Sequence, residues 1–220
     1  MTARSYVVLD TESSVCERSF HRMLVSIAYE VVDVHASATV RESYYDIVQL
    51  PPDVMLDAAS EQIHGITLDI AREKGGPLLG ILQTFLSLLQ DVRPHAIVGH
   101  DIANDIQLLV NEAIHVGIPP ASLCSLRTLL CTKELSAALC RLPLPWHLQY
   151  ESPCDIILQT LNDIPPRKQP FVYKWPSLQE SYCLLVKKNE SPPSHHAHDA
   201  RGDVERCRAV LVNLLLSKSV

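Results

Sequence analysis

Two acidic side chains stand two positions apart early in the chain, directly after an apolar run. Asp10 and Glu12 follow the residues VVL in the sequence VVLDTES. In a β-strand, side chains two positions apart point to the same face, so this spacing predicts that the two carboxylates lie side by side. Neighbouring carboxylates repel each other unless a cation lies between them, and hard oxygen ligands favour magnesium or manganese. Taken alone, such a pair is more often a solvated strand end. The other acids of the chain must therefore decide between a solvated strand end and a metal site.

A third acid, Asp105, shares the apolar stripe of a predicted helix with Ile102 and Leu109. An acid on the buried side of a helix is unfavourable without a partner. The helix follows the apolar run HAIVGH, so Asp105 would project near the end of a buried strand. The alternative, with equal weight, is an acid placed near a helix N-terminus by the helix dipole.

The stretch SHHAHDARGD supplies a fourth acid and three histidines. Asp203 lies four residues before Cys207, on the edge of the buried face of the last predicted helix. His198 precedes that helix, where a loop can hold an imidazole over whatever Asp203 binds. His195 and His196 lie in a polar segment, and we interpret them as solvated.

The elements that would position these residues follow from hydrophobic periodicity. Three apolar runs predict an antiparallel meander, and a strand followed directly by a helix predicts a parallel, covered part of the sheet. A further strand and helix are predicted within ASLCSLRTLLC and TKELSAALC, and helical composition leads up to Gly65. The fold class is therefore α/β, a mixed sheet flanked by helices. The predicted strands cover 5–10, 23–33, 42–50 and 95–100, and the predicted helices cover 77–92, 102–117 and about 199–216.

Length and composition predict one globular domain over residues 1–220. A segment rich in proline and aromatic residues, at about 141–176, is interpreted as an irregular insertion. Its tryptophans, Trp146 and Trp175, could stack nucleic-acid bases, as could the tyrosines, but packing in the core or in loops is the favoured interpretation.

The net charge of −6 argues against a non-specific nucleic-acid binder that works by bulk positive charge. It does not exclude an enzyme, because bound divalent cations would reverse the local charge of an acidic site.

The seven cysteines are an odd number and form no Cys-x-x-Cys pair, which favours reduced thiols over disulfides or a zinc site. A strand-like run within five residues of the start leaves no room for a signal peptide, and the apolar runs are too short to span a bilayer. These features predict an intracellular protein, cytoplasmic or nuclear, that does not act at membranes.

The ordered set of motifs resembles the DEDDh branch of the 3′–5′ exonucleases, typified by the proofreading subunits of bacterial replicative polymerases. A signature between the first two motifs and the segment before the third also match. The resemblance covers nearly the whole chain apart from 141–172. The matching segments are VVLDTES (7–13), IHGIT (63–67), GHDIANDIQLL (99–109), KWPSLQESYCLL (174–185) and HDARGD (198–203).

The resemblance implies a ribonuclease-H-like fold and a metal-dependent hydrolysis at the 3′ end of a nucleic acid. It implies two divalent cations, Mg²⁺ or Mn²⁺, and nucleoside 5′-monophosphates as products. Asp10, Glu12 and Asp203 would hold the cation that activates water. Asp10 would bridge to the second cation, which Asp105 would reach through water. His198 would be the general base, since its ordinary pKa of about 6.5 leaves it able to accept a proton near pH 7.

The resemblance also implies contacts to the terminal nucleotide, from the backbone at Ser13 and Ser14 and from Ile63 and His64. The partners would be single-stranded or frayed 3′ ends of DNA or RNA. A homodimer and a polymerase or repair partner both stay open. Two alternatives to the exonuclease are a catalytically idle nucleic-acid-binding or scaffold member of the same fold, and a ribonuclease-H-like endonuclease.

The chain departs from the family's pattern outside the five core residues. Asp101 stands where an asparagine usually follows the motif's histidine, and Asn104 stands where an aromatic residue usually precedes its aspartate. Ser13, Ser14 and Val15 replace a Thr-Thr-Gly. Cys131 replaces a frequent aspartate. These departures bear on substrate affinity and preference.

Overall fold

The computed structural model describes residues 4–16, 21–51, 54–124, 128–142, 173–188 and 199–216. Five strands form one sheet within these ranges. They are β1 (Arg4–Val15), β2 (Arg22–Val34), β3 (Ala38–Ile47), β4 (Ala96–Gly99) and β5 (Leu129–Cys131). Their order across the sheet is β3-β2-β1-β4-β5. Strands β1 to β3 pair antiparallel, whereas β4 pairs parallel with both β1 and β5. The predicted mixed sheet, a meander followed by parallel strands, is confirmed.

Helices cover both faces of this sheet. The three long helices agree with the sequence prediction to within two residues. The helices are α1 (Ala58–His64), α2 (Leu68–Lys74), α3 (Leu78–Val92), α4 (Ile102–His115), α5 (Ala121–Cys124), α6 (Thr132–Cys140), α7 (Leu178–Ser181), which continues into a π-helical turn (Tyr182–Val186), and α8 (Ala200–Leu216).

The first strand is longer than its sequence predicted. The prediction ended β1 at Asp10, but pairing with β2 continues until Val15 lies opposite Arg22. A register shift between Glu12 and Ser13 accommodates a β-bulge. Asp10 and Glu12 therefore lie inside β1 and not at its end. The error arose because the polar sequence after Leu9 hides a strand that its neighbour continues to pair.

The two faces of β1 contact different helices because side chains alternate along a strand. Val7 and Leu9 belong to the core cluster formed with α3 and α4. Tyr6 and Val8 belong to a second cluster, formed with α8. The sheet therefore lies between α3 and α4 on one side and α8 on the other.

A close approach of the backbone joins β4 to α4. A Cβ added at Gly99 would lie 2.9 Å from Ile102 Cδ1 and 3.1 Å from the carbonyl oxygen of Leu9. Only glycine allows the chain to leave β4 so near to β1 and to begin α4 there. This turn carries Asp105 towards the acids of β1.

Most of the predicted insertion at 141–176 lies outside the described residues, as does Trp146, and the single domain stays a prediction. Packing was the wrong interpretation for Trp175, whose side chain is 57% exposed. No helix in the described ranges is long and apolar enough to cross a membrane.

Candidate active site

Three carboxylates meet beside β1. Asp10 and Glu12 of β1 and Asp203 of α8 each offer an oxygen, and these three atoms lie within 4.8 Å of one another. Glu12 and Asp203 are buried, and Asp10 is half-buried. The spacing of two within β1 places the first pair on one face, as the sequence predicted.

The packing of α8 brings Asp203 to that pair. Ala200 and Val204 are buried against Val8 of β1 in one apolar cluster. Asp203 lies between them in the first turn of α8, so it faces the same side of the sheet. The first turn is also where the helix dipole favours an acid.

The pKa of Asp10 is raised well above its ordinary value of 3.8. Burial is the largest cause, followed by the negative charges of Asp105, Asp203 and Glu12. Ionised carboxylates at this separation are unfavourable without positive charge. The arrangement therefore suits a cation.

Arg206 brings one positive charge to the site. Its guanidinium donates from both Nε and Nη2 to Oδ1 of Asp203, the Nε bond measuring 3.1 Å. Its charge lowers the pKa of Asp10, opposing the carboxylates. The sequence prediction missed Arg206, although its spacing of three from Asp203 on one helix was a usable signal.

Asp105 reaches the site from the opposite face of β1. Its Oδ1 accepts hydrogen bonds from the backbone N–H of Thr11, at 3.1 Å, and from the Thr11 hydroxyl, at 2.6 Å. It lies outside the group of three oxygens but close enough for its charge to raise the pKa of Asp10. Burial raises the pKa of Asp105 to about 7, against the lowering effect of the Thr11 hydrogen bonds. The sequence prediction of a buried acid is confirmed, and Thr11 is the positioning partner it missed.

The two serines after Glu12 have different surroundings. The Ser13 hydroxyl accepts a hydrogen bond of 2.7 Å from Arg22 Nε on the rim of the site. Ser14 is buried, and its hydroxyl accepts from the backbone N–H of Asp57 at 3.2 Å. Asp57 caps α1, so Ser14 fixes that helix to the end of β1.

Ile63 and His64 form the C-terminal end of α1, which closes at Gly65 with a φ of 72°. Ile63 is 49% exposed, whereas His64 is buried. The His64 Nδ1 accepts from the backbone N–H of Ile66 at 3.1 Å, and its buried Nε2 has no hydrogen-bond partner in the described part of the chain. Burial lowers the pKa of His64, so near pH 7 the ring is neutral and carries its proton on Nε2.

His100 joins three segments. Its Nδ1 lies 3.0 Å from the hydroxyl of Thr132, at the start of α6, and its Nε2 donates to the carbonyl of Pro176 at 3.0 Å. Because a carbonyl only accepts, Nε2 carries the proton. Both ring nitrogens are thus engaged within the protein, which favours a structural role for His100.

Two of the positions that depart from the family's pattern bond to each other. Asp101 has a φ of 81°, a left-handed conformation that non-glycine residues seldom adopt. Its Oδ2 accepts from Asn104 Nδ2 at 2.8 Å and from Lys133 Nζ at 2.7 Å. The N-terminus of α4, which carries Asp105, is thereby linked to α6.

His198 lies outside the described residues, as do His195 and His196. The assignment of a general base therefore stays a prediction. The nearest described position is Asp199, directly before α8.

The chain shares its fold with solved 3′-exonucleases, as the motifs implied. The nuclease domain of 3′hExo, a DEDDh family member solved with rAMP, aligns with a TM-score of 0.58 at 11% identity, over 98% of this chain and 93% of that one.

Exonuclease I of E. coli, solved with single-stranded DNA and zinc, aligns with a TM-score of 0.64 at 17% identity over 99% of this chain. A 3′-exonuclease solved in recognition of a histone mRNA stem-loop aligns with a TM-score of 0.61 at 10% identity, over 99% of this chain and 84% of that one. This chain spans only 41% of the exonuclease I chain. No family model and no curated protein sequence matches the chain.

Proposed function

We propose that the protein is a 3′–5′ exonuclease that hydrolyses phosphodiester bonds at nucleic-acid 3′ ends and releases nucleoside 5′-monophosphates. One observation carries the proposal. The carboxylates of Asp10, Glu12 and Asp203 converge within 4.8 Å on a fold shared with 3′-exonucleases. Nothing in the packing of the core requires three acids at one point, so their convergence is best explained by chemistry.

The residues fit divalent cations, which we propose to be two Mg²⁺ or Mn²⁺ ions. Carboxylate oxygens are hard ligands, and the mutual repulsion that raises the pKa of Asp10 would be relieved by positive charge. When bound, such ions polarise the phosphoryl group and lower the pKa of water. Zinc is disfavoured, because no described histidine or cysteine joins the three-acid group.

Four acids divide into two sets by their contacts. Asp10, Glu12 and Asp203 offer oxygens to a common point and would hold cations directly. Asp105 has its Oδ1 engaged by Thr11, which supports a more distant role, through water. Arg206 would steady the Asp203 carboxylate, since both of its bonds go to one oxygen.

His198 is proposed as the general base that takes a proton from the attacking water. Two arguments support it: the resemblance of HDARGD to the third motif, and its position five residues before Asp203, whose carboxylate lies in the acidic cluster. A neutral imidazole near pH 7 can accept that proton.

The terminal nucleotide would bind between the bulge of β1 and the end of α1. Ile63 offers an exposed apolar side chain. His64 offers an oriented Nε2–H donor. This buried donor has no hydrogen-bond partner among the described residues, so it is available to the nucleotide. Ser13 faces the rim and would contribute there. The Ser14 side chain is committed to Asp57, which leaves its backbone for the contact.

The proposed substrates are single-stranded or frayed 3′ ends, because hydrolysis at the acids requires a strand end that can leave its duplex. Neighbours of the same fold were solved with single-stranded DNA and with an mRNA stem-loop, so both DNA and RNA belong in the test. We place the activity inside the cell, in the cytoplasm or nucleus, from the reduced cysteines that the sequence predicts. Five cysteines are free thiols in the structure: Cys16, Cys131, Cys140, Cys183 and Cys207.

The test is degradation of 5′-labelled single-stranded DNA and RNA with Mg²⁺ or Mn²⁺. The wild-type protein should shorten the labelled strand from its 3′ end and release mononucleotides, and Asp10→Asn should abolish this degradation. Asp91→Asn, which removes the same charge from an exposed position at the end of α3, should leave the rate unchanged. If neither polymer is shortened with either metal, the proposal is wrong.

A circular and a linear single strand distinguish the exonuclease from the two alternatives, an endonuclease and an idle binding protein. A circular single strand should resist an exonuclease and be cut by an endonuclease. An idle binding protein would bind the linear strand and leave its length unchanged.

A further inference from the structure

The exposed Trp175 and the half-buried Lys133 form a pair beside the N-terminal end of α4. The ammonium Nζ of Lys133 lies 5.9 Å from the centroid of the Trp175 ring, within the range of a cation–π contact. The Trp175 side chain is 57% exposed, the largest exposed fraction among the large apolar side chains of the described residues. A tryptophan that stays in water contributes little to folding, and its ring face is available for contact with a ligand.

The backbone on both sides of Trp175 is held by hydrogen bonds. The backbone N–H of Lys174 donates to the carbonyl of Leu142 at 3.0 Å, and the carbonyl of Pro176 accepts from His100 at 3.0 Å. Ser177 begins α7 with a reciprocal capping box. Trp175 is therefore an exposed aromatic surface on a fixed backbone, which is the arrangement that favours binding over mobility.

The Lys133 ammonium is oriented by Asp101, whose Oδ2 lies 2.7 Å away. An ammonium has three N–H donors, so this bond leaves others for a second acceptor. Asp101 directly precedes α4, and Asp105 follows four residues later, about 6 Å along the helix axis. The pair thus lies next to the helix end that carries Asp105.

We propose that Lys133 and Trp175 form a subsite for single-stranded nucleic acid, in which a base stacks on the indole and the ammonium binds a backbone phosphate. An aromatic face beside a cation is the combination that binds single strands without regard to sequence. The proposal rests on the proposed function, because it names where the strand continues when its 3′ end lies at the acids. The base contacted is a nucleotide other than the terminal one, because the terminal one is proposed to bind between the bulge of β1 and the end of α1.

Fluorescence tests the stacking directly. The chain has two tryptophans, so Trp146→Phe leaves Trp175 as the only one. In a protein that also carries Asp10→Asn to prevent hydrolysis, single-stranded oligothymidylate should quench this fluorescence to saturation. A blunt duplex, whose bases are stacked inside, should quench it far less. Fluorescence that stays constant through a saturating titration overturns the subsite.

Affinity tests the contribution of each side chain. Trp175→Ala should weaken binding of a labelled 20-nucleotide strand about 5- to 150-fold, and Trp175→Phe should recover most of it. Lys133→Met should weaken binding and reduce the slope of log affinity against log salt by about 0.7. Thermal unfolding of each variant checks that the fold is retained.

Matched controls lie elsewhere on the surface. Lys187→Met removes an ammonium that lies 6.0 Å from the Tyr182 ring, and Ile114→Ala removes an apolar side chain that is 56% exposed. Both should bind like the wild type, and losses equal to those of Lys133→Met and Trp175→Ala would contradict the proposal.

The two proposals fail in different ways. Strand degradation with unchanged affinity in Trp175→Ala removes the subsite and leaves the exonuclease. Quenching and binding without degradation under any metal condition remove the exonuclease and leave the subsite.

Discussion

The guanidinium of Arg206 donates two hydrogen bonds to one carboxylate oxygen of Asp203, at the point where three acids converge. Without divalent cations this side chain supplies positive charge in direct contact with the cluster. Its stabilising effect should therefore depend on whether cations are present, which a purely structural ion pair would not show.

Arg206→Met should lower the free energy of unfolding by about 1.5–3 kcal/mol in EDTA, the range for hydrogen bonds to a charged group. The loss should shrink with saturating Mg²⁺, because the cations then offset the repulsion. Urea unfolding under both conditions measures it. Arg208→Met is the control: it breaks a 2.6 Å bond to the buried Glu30 from the same helix, so its loss should be equal with and without Mg²⁺. If Arg206→Met lowers the free energy of unfolding equally with and without Mg²⁺, Arg206 does not offset the repulsion among the three acids.

Thr11 holds Asp105 through both its backbone N–H and its hydroxyl. Thr11→Val removes the hydroxyl at nearly constant volume and should destabilise the protein by about 1–3 kcal/mol, since it removes a hydrogen bond to a buried carboxyl. It should also reduce turnover, because Asp105 loses its orientation. Thr11→Ser keeps the hydroxyl and should retain most of both properties. Unfolding curves and initial rates on one oligonucleotide measure the effects, and equal behaviour of the two variants would show that the hydroxyl has no positioning role.

The sequence was sufficient for the three acids that meet, since each lies at a position fixed by a strong period. Asp10 and Glu12 follow the period of two in β1, and Asp203 follows the apolar stripe of α8. The length of β1 was not predictable, because pairing with β2 extends it through a polar sequence whose own β propensity is weak.

Contacts between distant segments also could not be predicted from the sequence. Thr11 and Asp105 are 94 positions apart, and His100 bonds to a carbonyl 76 positions later. No local sequence pattern predicts such hydrogen bonds, because they form only when the helices pack on the sheet. The exposure of Trp175 was not predictable for the same reason. An aromatic residue near prolines is expected to be packed, and only the folded structure shows that it is exposed.

The metal-free protein should lose stability as the pH rises. Burial raises the pKa of Asp105 from 3.8 to about 7. Between these values the folded protein holds a proton that the unfolded chain has lost, so the free energy of unfolding falls from about pH 4 upwards and continues to fall through about pH 7. Asp105→Asn, whose amide oxygen can still accept from Thr11, should flatten this dependence. Urea unfolding in EDTA from pH 4 to pH 8 measures it.

Glu112→Gln provides the comparison for that experiment. Glu112 lies on the same helix, accepts from the backbone N–H of Leu24 at 3.1 Å, and has a pKa raised by burial. Both variants should therefore be more stable than the wild type at pH 8 in EDTA. Saturating Mg²⁺ should remove the advantage of Asp105→Asn and preserve that of Glu112→Gln, because of the two only Asp105 is proposed as part of the metal site. Identical responses to Mg²⁺ would place Asp105 outside the metal site.

His198 should be the only one of three neighbouring histidines that turnover requires. His198→Ala should lose most of the rate and keep divalent-cation affinity, because the carboxylates remain, whereas His195→Ala and His196→Ala should stay near wild type. Calorimetric titration with Mn²⁺ measures the affinity, and single-turnover degradation measures the rate. The pH profile adds a second readout: in the wild type the rate should rise as His198 loses its proton, with a midpoint at about 6.5. In His198→Ala this rise should disappear. Equal losses in all three variants would mean that the stretch acts as a whole and that no single imidazole is the base.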